Sequence, residues 1–227
     1  MKLIHAFQDN DDPNSLVSRF RRARGRRVEA LIRRIHAETG ACRIIDLGGE
    51  AGYWRLFDRA MLADCGAHIT LVNPGGVDDV WDEALFTVVD GDACGLPQYA
   101  DSAFDLVHSN SVVEHVGDWE RVEAFARECR RLAPRYYVQT PYFWFPVEPH
   151  FSAPFFHWRS EQWRARALMK RRHGFVEKAA DMGEAMRAVQ HARLLDKAQF
   201  RFLYPDAVHH DERILGLTKS LIAVRDP

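Results

Sequence analysis

The stretch IIDLGGEAGYW, residues 44–54, decides the fold of this chain. An apolar run with one acid is followed by three glycines within five positions and then by two aromatic residues. The pattern predicts a buried strand, a tight glycine turn and the start of a helix. Such a turn lets the polar part of a ligand approach the backbone closely at a helix N-terminus. We therefore expect a binding loop here.

Strand and helix patterns alternate on both sides of this loop. Alternation of this kind indicates a parallel sheet that is covered by helices on both faces. Two further extended stretches, 200–208 and 216–225, are interpreted as an antiparallel pair at the sheet edge. The predicted fold class is thus α/β: a doubly wound, Rossmann-like, mostly parallel seven-stranded sheet with an antiparallel C-terminal edge. The predicted inner strands are 42–47, 67–73, 85–89, 104–108 and 135–140, and the predicted helices between them are 53–65 and 119–132.

Composition and charge exclude several classes of protein. The chain has 227 residues, of which 47% are hydrophobic, and 31 basic against 32 acidic residues leave a formal charge of −1. The apolar content excludes a disordered chain, and the balanced charge gives no general attraction to nucleic acid. The four cysteines form no C-x-x-C pair, so they predict reduced thiols rather than a zinc or redox motif. We expect a cytoplasmic protein without a membrane span or signal peptide.

Two parts of the chain differ from this background. Residues 1–40 form a basic helical segment that we expect to pack on the core, with 8 arginines between Arg19 and Arg34 and a break near Gly25. These arginines form either a solvated face or a surface for an anionic partner. Residues 41–227 form the second predicted domain. Its segment at about 141–196, aromatic at first and then helical, interrupts the alternation and is predicted to be an insertion after the fifth strand.

The glycine loop distinguishes between two nucleotide-binding patterns. A dinucleotide fingerprint G-x-G-x-x-G fails, because Glu50 and Tyr53 occupy glycine positions. The pattern D-x-G-x-G-x-G is matched at Asp46, Gly48 and Gly52, and Glu50 replaces its middle glycine. In this region, and on to about residue 140, the chain resembles the class I S-adenosylmethionine-dependent methyltransferases, in particular the type 11-like small-molecule group.

The resemblance implies S-adenosylmethionine as the cofactor and a role for each matching residue. In that family an acid at the end of the second strand binds the ribose, and this chain has Asn73 there. Asp92 would accept from the adenine amino group, and Ser109 would lie beside the methionine part of the cofactor. The cofactor-binding residues implied in this way are Asp46, Gly48, Gly49, Glu50, Gly52, Asn73, Asp92, Ala93 and Ser109.

Three histidines lie where the family builds its acceptor pocket: His115, His150 and His157. A histidine can act as a general base near neutral pH, so each is a catalytic candidate as well as a candidate structural residue. The pair Glu114-His115 is similar to the end of an E-x-x-E-H metal motif found in some relatives. Ser111 replaces the first acid of that motif, so we expect no metal.

These observations predict a methyltransferase whose acceptor is a small molecule or a glycan- or lipid-linked compound. The alternative is a cofactor-binding, non-catalytic methyltransferase-like module, which the replacements at Glu50 and Asn73 favour. The failed fingerprint disfavours a nicotinamide oxidoreductase. A nucleic-acid acceptor would rest on the arginine-rich helix alone, and the sequence carries no signal for an oligomeric state.

Overall fold

The computed structural model describes residues 16–78, 80–148 and 150–227, with side chains from residue 22 onward. The first fifteen residues of the predicted basic segment, and the side chains of Arg19 and Arg21, lie outside the described residues. The helices are α1 (Leu16–Thr39), α2 (Arg59–Asp64), α3 (Trp119–Leu132), α4 (Glu161–Lys170), α5 (Met182–Gln190) and α6 (Lys197–Leu203), and 3-10 helices cover Ala51–Leu56 and Val113–His115. The strands are β1 (Cys42–Leu47), β2 (Ala67–Asn73), β3 (Phe86–Asp90), β4 (Leu106–Asn110), β5 (Arg135–Pro141), β6 (Val147–Glu148), β7 (Ala153–Pro154), β8 (Val208–Ile214) and β9 (Leu217–Arg225).

Seven of these strands form one sheet in the order β3-β2-β1-β4-β5-β9-β8. Neighbours from β3 to β5 pair in parallel, whereas β9 pairs antiparallel with both β5 and β8. The order reverses between β1 and β4. In open α/β sheets, ligands bind outside the carboxyl ends of the strands at such a reversal. The predicted fold class is confirmed, including its antiparallel C-terminal edge.

Each face of the sheet is covered by its own apolar cluster. On one face, α1 packs Val28, Ile32 and Ile35 against β1 and β4. On the other face, α3 and α6 pack against the same central strands through Phe125 and Phe200. The segment after β5 has a small third cluster that joins α4 and α5. This arrangement leaves the carboxyl edge of the sheet as the place for a ligand.

The first helix differs from the sequence prediction, because α1 runs through Gly25 without a break. A glycine inside a helix costs about 1 kcal/mol relative to alanine. Here a Cβ at Gly25 would lie 3.9 Å from the Phe57 ring, which is an ordinary van der Waals contact, so the packing of α1 does not itself require glycine at this position. The neighbouring Arg24 is buried, and its Nε donates to Glu212 of β8 at 3.0 Å.

Two other stretches differ from their predictions. The predicted helix 53–65 is a 3-10 helix followed by α2, and Asp58 caps α2 by accepting from the backbone N–H of Ala60. Residues 200–208 are not an extended strand, because residues up to Leu203 belong to α6. Asp196 begins α6 with a capping box that includes Gln199. Phe200 and Leu203 of this helix are buried, three positions apart, whereas Phe202 is exposed. Over so short a length, an apolar run of this kind does not distinguish a helix from a strand.

The cysteines agree with the expectation of unpaired thiols. All four cysteines are unpaired thiols; three are buried and Cys94 is partly exposed. Among the described residues, no helix is both long enough and apolar enough to cross a membrane.

The buried ion pair of Arg24 and Glu212 gives a test of how α1 is held. The guanidinium also donates to Asn110 and Gln139, at the ends of β4 and β5. We expect Arg24→Met to lower the free energy of unfolding by about 3–5 kcal/mol, because it leaves a buried carboxylate without its partner. Urea denaturation followed by circular dichroism measures this. The double variant Arg24→Met/Glu212→Leu should lose less than Arg24→Met alone, and a loss below about 1 kcal/mol in the single variant would contradict the prediction.

Candidate functional site

The glycine loop connects β1 to the first 3-10 helix at the carboxyl edge of the sheet. Gly48 has a φ of +73°, and its backbone N–H donates to the carbonyl of Val72 at 2.8 Å. A Cβ at Gly48 would overlap the side chain of Val112, and one at Gly49 would overlap the carboxylate of Asp46. Both positions therefore need glycine for steric reasons. A Cβ at Gly52 would meet no described atom within 4 Å.

Asp46 is completely buried beneath this loop. Its carboxylate accepts from Trp54 Nε1 at 2.8 Å and from His108 Nδ1 at 2.7 Å. Asp46 and His108 are register partners in β1 and β4, and Trp54 belongs to the 3-10 helix after the loop. The carboxylate thus joins both sides of the turn. With no exposed surface, it shapes the loop from beneath, which differs from the direct ligand contact expected from the sequence.

Asn73 at the end of β2 is linked to the same loop. Its Nδ2 donates to the backbone carbonyl of Gly49 at 2.7 Å. An aspartate could not donate to this carbonyl, so the asparagine has a structural reason to be here. The bond uses the Nδ2 donor of the Asn73 amide. The amide oxygen is the atom that would accept a hydrogen bond from a ribose hydroxyl.

Asp92 and Ala93 follow β3 at the same edge. Both carboxylate oxygens of Asp92 accept from Arg121 at 2.9 Å, and one also accepts from the backbone N–H of Cys94. Burial opposes ionisation of Asp92, but the Cys94 and Arg121 hydrogen bonds outweigh it and hold its pKa below the ordinary value. Half of this side chain is exposed, whereas Ala93 is buried. The position remains accessible to a ligand.

Glu50 and Ser109 lie in contrasting environments. Glu50 is exposed and immediately precedes the 3-10 helix, without capping it through its side chain. Ser109 is completely buried, and its hydroxyl donates to the carbonyl of Leu47 at 3.1 Å. This bond ties β4 to β1. The structure therefore does not place the Ser109 side chain at the surface of the crevice, in contrast to its expected contact with the methionine part of the cofactor.

The structure brings Glu114, His115 and His150 together beyond the end of β4. One ligand atom from each lies within 4.8 Å of the others, and the two Nε2 atoms of His115 and His150 are 3.0 Å apart. Burial raises the pKa of Glu114 to about 7 and lowers that of His115 to about 4. Burial also opposes protonation of His150, but its bond to Glu148 outweighs this and raises the pKa. Sequence spacing alone does not bring His150 to this place.

His157 is separate from that cluster. Its Nε2 is 2.6 Å from the carbonyl of Phe143, which also accepts from Trp158 Nε1 at 3.0 Å. Burial lowers the pKa of His157. Because the Phe143 carbonyl can only accept, His157 Nε2 donates to it, and the bond holds the start of the segment after β5 in place. Of the three candidate histidines, the structure thus joins His115 and His150 and gives His157 a local bond.

The aromatic segment after β5 is divided between two environments. Phe151 and Phe156 are buried in the third apolar cluster with α4 and α5. Trp144 and Trp158 are exposed by 55% and 39%, with ring centroids 5.8 Å apart. Part of the segment is therefore the core of its own small unit, and part forms an aromatic surface.

Several contributors to the site were missed in the sequence. Trp54 and His108 hold Asp46, Trp81 Nε1 donates to the carbonyl of Ala51 at 2.8 Å, and Arg121 holds Asp92. The expected alternative for the arginine-rich helix, a surface for an anionic partner, does not apply to Arg24, which is buried against Glu212. A register alignment of β1 with β4 is the signal that could have paired Asp46 with His108.

Comparison with known proteins gives one family match, in the part of the chain that follows the loop, and several similar solved structures. A family model described as a methyltransferase domain matches residues 58–135, about a third of the chain. A search among curated proteins finds no match. Similar solved structures include a magnesium protoporphyrin IX methyltransferase from Synechocystis PCC 6803, with 14% identity, 99% of this chain and 93% of that chain covered, and a TM-score of 0.49. A further one is an S-adenosylmethionine-dependent methyltransferase from Methanosarcina mazei, with 14% identity, coverages of 81% and 91%, and a TM-score of 0.48.

Sequence identities of 14% and TM-scores below 0.5 do not identify the molecule that accepts a methyl group. The matched segment runs from α2 to β5 and contains β2, β3, β4 and α3. It adjoins a glycine loop at the strand-order reversal, in a sheet whose penultimate position is an antiparallel strand. S-adenosylmethionine is the cofactor of class I methyltransferases. The match to the methyltransferase-domain model over residues 58–135 supports a class I S-adenosylmethionine-dependent methyltransferase of the type 11 kind.

Proposed function

We propose that this enzyme methylates a small molecule, or the exposed group of a glycan- or lipid-linked compound, bound between the carboxyl edge of the sheet and the segment of residues 141–196. The observation that carries the proposal is the position of Gly48 and Gly49, whose missing side chains let the loop pass directly against Val112 and Asp46 at the carboxyl edge of the sheet. A methyl donor in this loop would direct its sulfonium towards the ends of β4 and β5. The transfer then requires mainly that an acceptor atom be held in line with the methyl group.

The cofactor roles follow from this position. The backbone of Gly48, Gly49 and Gly52, with Glu50 beside it, would receive the amino-acid part of the cofactor. Asn73 would accept from a ribose hydroxyl, and Asp92 and the backbone of Ala93 would receive the adenine. Asp46 and Ser109 support the loop and strand ends from beneath, because both side chains are buried and bonded within the protein.

The acceptor side has the properties of a pocket for a partly apolar compound. Trp144 and Trp158 offer exposed aromatic surface, and a pocket wall of this kind excludes water from the reacting atoms. His150 of this segment lies next to His115, which follows β4. An oxygen or nitrogen acceptor could bind beside them. We also keep the division at residue 41 as a proposal, with α1 as an accessory helix that packs on the catalytic domain.

Cofactor binding is tested first and methyl transfer second. Isothermal titration should give saturable binding of S-adenosylmethionine and S-adenosylhomocysteine, and none of NAD. Incubation with methyl-tritiated S-adenosylmethionine and an extract of the source organism should then label the small-molecule or lipid fraction. Label confined to RNA or DNA would contradict the proposed acceptor class. Cofactor binding without label in any fraction would favour the non-catalytic alternative.

Gly48 allows a sharper test of the loop. We expect Gly48→Ala to weaken S-adenosylmethionine binding by about 5–150-fold, because overpacking against Val112 costs about 1–3 kcal/mol. Gly40→Ala is the matched control, since Gly40 has a similar φ of +81° but a Cβ there would meet no described atom within 4 Å. Both affinities are measured by titration, with thermal unfolding as the check on folding. Equal affinity in the two variants would show that the loop does not hold the cofactor.

Asn73→Asp exchanges the donor that meets the Gly49 carbonyl for an acceptor. We expect the variant to lose about 1 kcal/mol of stability and to bind S-adenosylmethionine more weakly, because carboxylate and carbonyl oxygens would repel each other. Thermal unfolding and titration measure the two effects. Tighter binding in the variant would instead mean that the acid found in other family members serves the ribose better than the loop contact does.

A further inference from the structure

The cluster of Glu114, His115 and His150 has a hydrogen-bond pattern that the methyl-transfer reaction does not explain. His115 comes from the 3-10 helix after β4, and His150 lies between β6 and β7. His115 Nδ1 is 3.1 Å from the backbone carbonyl of His191, which can only accept. His115 Nδ1 therefore carries a proton, and its Nε2 presents a lone pair.

His150 is held in the same way by a different acceptor. Its Nδ1 is hydrogen-bonded to the carboxylate of Glu148, which is itself buried and also accepts from the backbone N–H of Phe151 at 2.6 Å. A carboxylate next to an imidazole fixes the proton on the near nitrogen and makes the far nitrogen a better ligand. The Nε2 of His150 then presents its lone pair to the Nε2 of His115, at 3.0 Å.

Two lone pairs at this distance require a positive charge between or beside them. The hydrogen bonds of Glu114 distinguish between a proton and a metal ion as the source of this charge. Its Oε2 accepts from Thr140 at 2.9 Å, but Oε1 is buried and has no hydrogen-bond partner among the described residues. A proton shared by the histidines would satisfy two of the three converging atoms and leave this oxygen unpaired. A metal ion would satisfy all three.

The spacing agrees with metal coordination. Imidazole nitrogens lie about 2.0–2.1 Å from Zn²⁺, so two of them on one ion are roughly 3.3–3.4 Å apart at a tetrahedral angle and roughly 2.8–3.0 Å apart at a right angle. The two rings are nearly perpendicular, at 89°, and all three ligand atoms lie within 4.8 Å of one another. Two imidazoles and one carboxylate suit Zn²⁺ and similar first-row ions better than Mg²⁺, which prefers oxygen ligands.

We propose that Glu114, His115 and His150 bind a divalent first-row transition-metal ion such as Zn²⁺, with the Glu148 carboxylate and the His191 carbonyl orienting the two imidazoles. The His150 side chain is 30% exposed, so water or an oxygen of the acceptor can take a remaining coordination position. The proposal departs from the expectation of no metal, because His150, which the sequence motif does not include, brings a third ligand atom to Glu114 and His115. It does not depend on the proposed acceptor.

The test uses tag-free full-length protein that has been treated with a chelator and then titrated with Zn²⁺ and, separately, Mg²⁺. We expect one Zn²⁺ per chain, a Zn²⁺-dependent rise in unfolding temperature, and much weaker binding of Mg²⁺. His115→Ala and His150→Ala should each weaken Zn²⁺ binding at least about 100-fold, since the loss of an outer partner alone costs about 10–100-fold. His173→Ala is the matched control, because His173 lies in the same segment and outside the cluster.

Co²⁺ gives a second measurement with the same variants. Its visible absorption should indicate nitrogen ligation in the parent protein and in His173→Ala, and should be lost in His150→Ala. His150→Asn replaces it if the alanine variant fails to fold. Zn²⁺ affinity that is unchanged by the His115 and His150 substitutions would overturn the proposal. So would Mg²⁺ binding as tightly as Zn²⁺, because the ligand set would then not be the two imidazoles.

Discussion

The buried carboxylate of Asp46 is the constraint on which the ligand-binding edge depends. It lies at the end of β1 and accepts from one side chain in the neighbouring strand and one beyond the turn. Because a buried carboxylate is costly unless its hydrogen bonds are complete, His108 and Trp54 must both be in place. Gly49 passes so close to this carboxylate that no side chain fits. The path of the loop, and therefore the shape of any cradle it forms, follows from satisfying one buried group.

Much of the architecture could be predicted because it depends on local patterns. Short apolar runs that end in turn residues predict the five parallel strands, and Asp118 and Ser160 begin their helices as N-caps, which is a local role typical of these residue types. The failures occur where tertiary contacts decide. Gly25 breaks no helix, and Arg24 beside it is ion-paired with Glu212 across the sheet edge. Residues 197–203 are helical because of a capping box that a short aromatic stretch obscures.

The candidate site, like the fold, has a part that the sequence predicts and a part that depends on tertiary contacts. The glycine loop and the ends of β2 and β3 are contiguous in sequence, so the residues there could be named from a motif. What those side chains do could not, because Asn73 is engaged by a backbone carbonyl and Asp92 by Arg121, partners that no spacing reveals. The grouping of His115 with His150 depends on the course of the chain after β5, which returns to the end of β4 by a path without regular periodicity.

The Arg24–Glu212 bond has a consequence for the order in which the protein forms during synthesis. It joins two residues separated by 188 positions. The strand beside β5 is β9, which follows the other described strands in sequence, so an open edge and an unpaired arginine persist until residues 212–225 have been synthesised. Exposed strand edges favour aggregation. Nascent chains that stall before residue 212 should therefore be preferred clients of a chaperone.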